Sequence, residues 1–199
     1  MRPAFFLDRD GTVTREVGYV NHTSRLELLP RSAQAIRMAR AGGYICVLVT
    51  NQAGVARGYF PESLIADVHQ RLAQLLAARE TRLDGIYYCP HHPSAGEPPY
   101  RSDCDCRKPR PGMLLAAARD LEIDMAASIM VGDKISDVQM GRNLGARGIL
   151  VRTGYGRGEE EHQRQDWTTT PDHVAEDLLD AVTWVLEVDD PRRATGERP

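Results

Sequence analysis

Short β-type runs alternate with helical stretches along almost the whole of this chain, and that alternation admits few folds. Residues 4–7, 44–49, 85–88, 128–131 and 148–151 are apolar runs of strand length, bounded by glycine, proline or charge. Between them the spacing predicts a helix over 31–41, stopped by Gly42-Gly43, and one over 61–78, opened by Pro61. The second carries Leu64, Val68, Leu72, Leu75 and Leu76 on one face. Pro111 opens a helix to 121, another follows Asp133 and stops at Gly145, and the last carries Leu178, Leu179, Val182 and Leu186. Strands that alternate with helices imply parallel βαβ units, hence an α/β fold whose sheet is covered on both faces. The stretch with Gly154, Gly156, Gly158 and the acidic run Glu159 to Glu161 reads as a polar loop. One domain over 1–187 is expected, with 188–199 a disordered tail.

Chemistry gathers at the C-terminal ends of these strands, where ligands of open parallel sheets bind. The first strand breaks into Asp8-Arg9-Asp10-Gly11-Thr12, the second ends in Val49-Thr50-Asn51, and the fourth runs into Gly132-Asp133-Lys134 with Asp137 close behind. Arg107-Lys108-Pro109 precedes a helix. Each feature alone has a plain reading: a solvated acidic turn, a strand end, an N-cap, an exposed lysine. Together they supply what phosphoryl transfer to a carboxylate requires. Carboxylates can act as covalent nucleophiles. Asp8, Asp133 and Asp137 offer hard oxygen ligands suited to Mg2+. Lys108 and the Thr50 hydroxyl could offset charge on phosphate oxygens.

Three of the four cysteines cluster with histidine. Cys89-Pro90-His91 and Cys104-Asp105-Cys106 give C-x-H and C-x-C pairs, a donor set for a tetrahedral zinc with no open position. The zinc is therefore expected to be structural. His92 is the alternative imidazole, and a disulfide is the competing use of the thiols. Cys46 lies within an apolar run and reads as a small core residue.

The four motifs at strand and helix ends resemble, in order and spacing, the haloacid dehalogenase superfamily of aspartate-nucleophile phosphatases, over about residues 4 to 187. The resemblance implies a capless, Rossmann-like fold with Asp8 as nucleophile and Asp10 as general acid and base. It further implies Mg2+ held by Asp8, the Asp10 carbonyl and Asp133, with Asp137 acting directly or through water. Thr50 and Lys108 would stabilise the transferred phosphoryl group. The segment from Cys89-Pro90-His91-His92-Pro93 to Gly112-Met113 resembles more narrowly the D-glycero-D-manno-heptose 1,7-bisphosphate 7-phosphatase family. So do Gly18-Tyr19-Val20 and the segment from Thr50-Asn51-Gln52 to Arg57-Gly58. That implies removal of the carbon-seven phosphate from a sugar bisphosphate. Asn51, Gln52, Arg57, Arg107 and Lys134 are then substrate-binding candidates, the two arginines gripping the retained phosphate. Asn21-His22-Thr23-Ser24-Arg25 departs from the resembling pattern. A histidinol-phosphate phosphatase is the alternative, with a similar zinc loop but a need for an acidic partner to the substrate amine.

A net charge of −3 and the lack of a basic, aromatic-studded surface pattern disfavour nucleic acid as a partner. No apolar run approaches a membrane span of roughly 18 residues, and the N-terminal run is too short for a signal peptide. A cytoplasmic monomer acting on a small sugar phosphate is expected.

Overall fold

The computed structural model describes residues 1–190. Six parallel strands form one sheet: β1 (Ala4–Leu7), β2 (Ile45–Asn51), β3 (Gly85–Cys89), β4 (Ile129–Gly132), β5 (Arg147–Val151) and β6 (His173–Ala175). Their spatial order is β3-β2-β1-β4-β5-β6. The chain builds outward from β1 to one edge, then crosses to β4 and builds to the other. The switch point thus falls between β1 and β4, which pair through Phe5↔Ile129, Phe6↔Met130 and Leu7↔Val131. The first residue beyond each of these two strands sits at the mouth of that crevice.

The pleat sorts the strand side chains between two cores. Phe5, Leu7, Cys46, Leu48, Ile129 and Val131 face one side. There they meet α1 (Ser32–Ala41), α2 (Ser63–Ala77) and α6 (Leu178–Glu187) through Ile36, Leu72 and Val182. Ala4, Phe6, Val47, Val49 and Met130 face the other side. They meet α3 (Gly112–Leu121) and α4 (Ile135–Arg142) through Leu114 and Met140. β1 is fully buried on both faces, which is why its run reads as continuous rather than alternating apolar. Cys46 is a core residue, its thiol pushed up to about 12 chiefly by burial.

The structure departs from the sequence expectations at four places. The glycine-rich stretch after β5 is not all loop: Gly156–His162 forms a helix, α5. Tertiary contacts override its low propensity, since Arg152 grips the Glu160 carboxylate at 2.6 and 3.0 Å and Ile135 N–H donates to Glu159 Oε2 at 3.3 Å. β6 is too short and too polar to announce itself. It forms by pairing with β5, while the His173 ring stacks on Trp184 at 4.6 Å. The supposed tail is ordered in its first residues: Tyr44 donates its hydroxyl to the buried Asp190 at 2.8 Å, and Arg147 pairs with Asp189. Residues 191–199 of that expectation lie outside the described residues. Helix α2 begins at Ser63 rather than at Pro61. Among the described residues no helix is long and apolar enough to cross a membrane.

One half-buried histidine makes stability depend on pH. His69 on α2 packs edge-on to Tyr88 at 5.8 Å, and its Nε2 is buried without a partner. Burial first and Arg9 second push its pKa down to about 4, against a smaller pull from Asp10. The unfolded chain takes up that proton near pH 6.5. The contribution of neutral His69 is therefore full above about pH 6.5 and drains as pH falls toward 4. His69→Leu removes this proton uptake. In urea unfolding at about pH 7 and about pH 4.5, the wild type should lose more stability on acidification than the variant. Equal losses would show that His69 does not titrate on unfolding.

Candidate active site

Asp8 extends β1 by one residue and its N–H donates to the Val131 carbonyl at 3.0 Å, carrying the β1–β4 ladder to its end. Asp133 extends β4 in the same way. Their carboxylates converge with that of Asp137, one oxygen from each lying within 4.8 Å of the others, and all three residues are buried. Lys108 arrives from the loop before α3. Its Nζ lies 2.6 Å from Asp8 Oδ1, 2.6 Å from Asp137 Oδ1 and 3.3 Å from the Val49 carbonyl. Its N–H donates to Asn51 Oδ1 at 3.2 Å.

Three carboxylates against one lysine leave a deficit of positive charge. Burial, with Asp137 and Asp10 behind it, raises Asp8 to about 7 against the pull of Lys108. Burial, with Asp8 and Asp137 behind it, raises Asp133 to about 8. Burial pulls Lys108 down, but Asp137 and Asp8 outweigh it and hold the ammonium above the usual lysine range. Asp137 Oδ1 pairs with the Lys108 ammonium at 2.6 Å, and its Oδ2 accepts the Lys134 N–H at 3.2 Å. Asp133 accepts the Tyr155 N–H through Oδ2 at 2.9 Å, while its Oδ1 is buried with no partner. An orphaned carboxylate oxygen among hard donors fits a divalent cation such as Mg2+. Gly11 and Gly154 flank Asp133 with positive φ, and a Cβ on either would sit 2.1 Å from Oδ2. Glycine is required at both positions.

Asp10 is held by a fork that the sequence reading did not single out. Arg9, 1% exposed, donates Nε to Asp10 Oδ1 at 3.0 Å and Nη2 to Oδ2 at 2.7 Å. A cation between two acids at the end of a buried strand was the available signal. Gln52 is placed inward: it is buried, and its amide meets Arg9, Asp10 and Thr50.

Above these groups lies a cavity of about 330 Å3, lined by Asp8, Asp10, Thr50, Asn51, Arg107, Lys108, Lys134 and Asp137. Glu16, Tyr19 and Tyr155 also stand in its wall. They lie on connecting loops, where no hydrophobic period marks a position. Lys134 Nζ stands 4.1 Å over the Tyr155 ring. Arg57 is not brought into this lining. It is exposed, and its Nη2 lies 3.0 Å from His92 Nε2.

The second cluster forms as expected. Cys89, His91, Cys104 and Cys106 bring their ligand atoms within 4.8 Å of one another. A tetrahedral zinc with bonds of about 2.0–2.3 Å spaces its ligands about 3.5–3.8 Å apart. Here Cys89–Cys104 is 3.5 Å, His91 Nδ1–Cys106 3.4 Å and His91 Nδ1–Cys89 3.8 Å, while Cys104–Cys106 is tighter than that spacing at 3.1 Å. The cysteines are free, so no disulfide competes. His92 is set apart, its Nδ1 accepting the Ser94 and Ala95 N–H groups at 3.2 and 3.0 Å. Arg107 follows the cluster directly and donates Nη1 to the His91 carbonyl at 3.1 Å.

A D-glycero-D-manno-heptose-1,7-bisphosphate 7-phosphatase of Thermosynechococcus vestitus is 44% identical over 192 residues, 92% of this chain and 95% of its own length. The chain belongs to this phosphatase family. The D-glycero-beta-D-manno-heptose-1,7-bisphosphate 7-phosphatase of Escherichia coli K12 is 47% identical over 167 residues, covering 83% of this chain and 87% of its own. A HAD-hydrolase-like profile, the superfamily that contains the heptose-bisphosphate phosphatases, matches residues 105–181. The D,D-heptose 1,7-bisphosphate phosphatase of B. bronchiseptica, crystallised with magnesium and phosphate, superposes with a TM-score of 0.81 at 33% identity. The match covers 94% of this chain and 99% of that one. The chain is thus a HAD-fold hydrolase of phosphoric monoesters.

The cysteine cluster makes a direct forecast. Metal analysis of purified protein should find about one zinc per chain. Cys104→Ser should lose that zinc and lower the thermal midpoint by about 5 °C or more. A zinc-free wild type of undiminished stability would contradict the assignment.

Proposed function

We propose that this chain removes the carbon-seven phosphate of D-glycero-D-manno-heptose 1,7-bisphosphate through an aspartyl-phosphate on Asp8. The observation that carries the reading is Asp8 itself, at the end of the central strand, ion-paired to Lys108 at 2.6 Å on the floor of the cavity. The names of relatives 44% and 47% identical over most of the chain support the substrate.

Asp8 attacks phosphorus, and the bond to the sugar oxygen at carbon seven breaks. Asp10 gives its proton to that departing oxygen. It then takes a proton from the water that attacks the aspartyl-phosphate, releasing phosphate and restoring Asp8. Lys108 and the Thr50 hydroxyl balance charge gathering on the equatorial oxygens. Asp8, Asp133 and the Asp10 carbonyl would hold Mg2+, which would supply further positive charge against the charge of the phosphate. Asp137, ion-paired to Lys108 and bound by the Lys134 N–H, holds the lysine in place and would meet the metal directly or through water. Cys89, His91, Cys104 and Cys106 would hold a zinc with all four positions filled, and so anchor the loop that aims Arg107 and Lys108. Arg107, within the cavity lining, grips the phosphate that is kept, and Lys134 and Asn51 line the same space.

Glu16 gives the alternative substrate, histidinol phosphate, its one specific argument. It is a half-buried carboxyl on the cavity wall whose pKa burial raises, and it could meet an amine. A sugar hydroxyl is an equally good partner for it.

Asp8→Asn should lower kcat by about 10,000-fold or more, and Asp10→Asn by about 100- to 10,000-fold, with folding kept. Rapid turnover by Asp8→Asn would end the nucleophile assignment. Arg107→Ala should cost about 10- to 150-fold in kcat/KM with the heptose bisphosphate, the worth of one charge-assisted contact, and much less with an aryl phosphate. Arg57→Ala, outside the cavity lining, should cost little with either. The heptose reading fails if histidinol phosphate is the better substrate of the wild type. The anchoring role fails if Arg107→Ala weakens both substrates equally.

A further inference from the structure

Gln52 stands two residues beyond Thr50, at the end of β2, with only 6% of its surface exposed. Its amide joins three groups. Oε1 accepts the Arg9 Nη2 hydrogen at 3.0 Å, and Nε2 donates to Asp10 Oδ2 at 3.1 Å and to Thr50 Oγ1 at 2.9 Å. Which end of an amide is oxygen is normally an assignment from the network, and here the chemistry leaves one choice. Arginine has only donors, so the end that meets it must be Oε1. The nitrogen end must then face Asp10 and Thr50.

This fixes the hydroxyl of Thr50. Its oxygen accepts from Gln52, so its own hydrogen must point elsewhere, and it finds no acceptor among the described residues. Thr50 lines the cavity, and that is where the hydrogen is free to point. Gln52 does not line the cavity. We infer that Gln52 is a positioning residue that turns the Thr50 hydroxyl hydrogen toward the transferred phosphoryl group. Arg9 and Asp10 lock the Gln52 amide in the one orientation that can do this. The inference rests on the reading of Thr50 as a phosphate donor and adds the device that makes it one. Without it, the hydroxyl is a rotor that must be oriented during the reaction, and a donor oriented beforehand is worth more in the transition state.

Because the effect is one of orientation, it belongs in kcat rather than in KM. Gln52→Met keeps the length of the side chain and removes the donor. Gln52→Glu keeps the partner of Arg9 but offers Thr50 only an acceptor, drawing its hydrogen away from the cavity. The reaction is followed with the heptose bisphosphate and with an aryl phosphate, in the wild-type and Thr50→Val backgrounds. Thr50→Val alone should lower kcat about 100-fold, as loss of a phosphate donor would. Gln52→Met should lower kcat about tenfold with KM changed less than about twofold and the thermal midpoint kept. In the Thr50→Val background the same change should cost less than about twofold, because the hydroxyl it orients is gone. Should Gln52→Met not fold, Gln52→Glu carries the same comparison with Arg9 still partnered. A full tenfold loss that persists in the Thr50→Val background overturns the inference, as does unchanged kcat in both Gln52 variants. If Thr50→Val itself costs nothing, the donor reading of Thr50 falls first and the inference falls with it.

Discussion

A buried ammonium between two buried carboxylates is the contact on which the site depends. Two like charges 4 Å apart repel by about 4 kcal/mol at an effective dielectric near 20, so Asp8, Asp133 and Asp137 could not share one crevice unaided. Lys108 bridges Asp8 and Asp137 at 2.6 Å each and brings one positive charge into a group of three negative ones. What remains is a net charge of −2 if all are ionised, by the count of three carboxylates and one lysine. That remainder, with the orphaned Asp133 oxygen, is the physical reason a divalent cation suits the site. A phosphate dianion can approach only after this negative charge is offset, so cation and substrate recognition are one electrostatic problem.

Lys108 has no regular element of its own to hold it. It lies between β3 and α3 in a loop rich in proline, and the cysteine cluster ends two residues before it. Gly112 N–H donates to the Asp105 carbonyl at 2.9 Å, so the cluster and the start of α3 fix the segment from both sides. A small domain has little core to spare for such a loop, and four ligands drawn to one point replace the missing apolar burial. The sulfur-rich site and the oxygen-rich site thus divide the work by ligand type. One fixes backbone, and the other leaves charge exposed to chemistry.

Behind the cavity the Arg9, Asp10, Gln52 and Thr50 contacts form a second polar layer. A fully buried arginine is costly unless each donor is used, and here Nε and Nη2 meet Asp10 and Gln52. This layer couples the end of β1 to the end of β2, the two strands that carry the proposed acid–base group and the phosphate donor. The acid–base carboxyl is therefore held by the fold before any substrate arrives.

The alternation of apolar runs with helical stretches determined the α/β class, and the strand ends at Asp8, Thr50 and Asp133 were readable because a charge or hydroxyl interrupts each run. The cluster of Cys89, His91, Cys104 and Cys106 was readable from residue type and spacing alone. Other features were not local. Strand β6 and helix α5 have weak propensities and exist through pairing with β5 and the Arg152–Glu160 contact. Arg57 and Arg107 look alike as sequence, yet only one reaches the cavity, because loop path rather than residue type decides where a guanidinium points. Gln52 reads as a substrate ligand only through the family resemblance of its segment, and the buried fork of Arg9, brought from a different strand, turns it inward. Sequence sets which groups are present and on which elements. The crossing at the β1–β4 switch point decides which of them come within hydrogen-bonding distance, since that depends on residues some hundred positions apart meeting in one crevice.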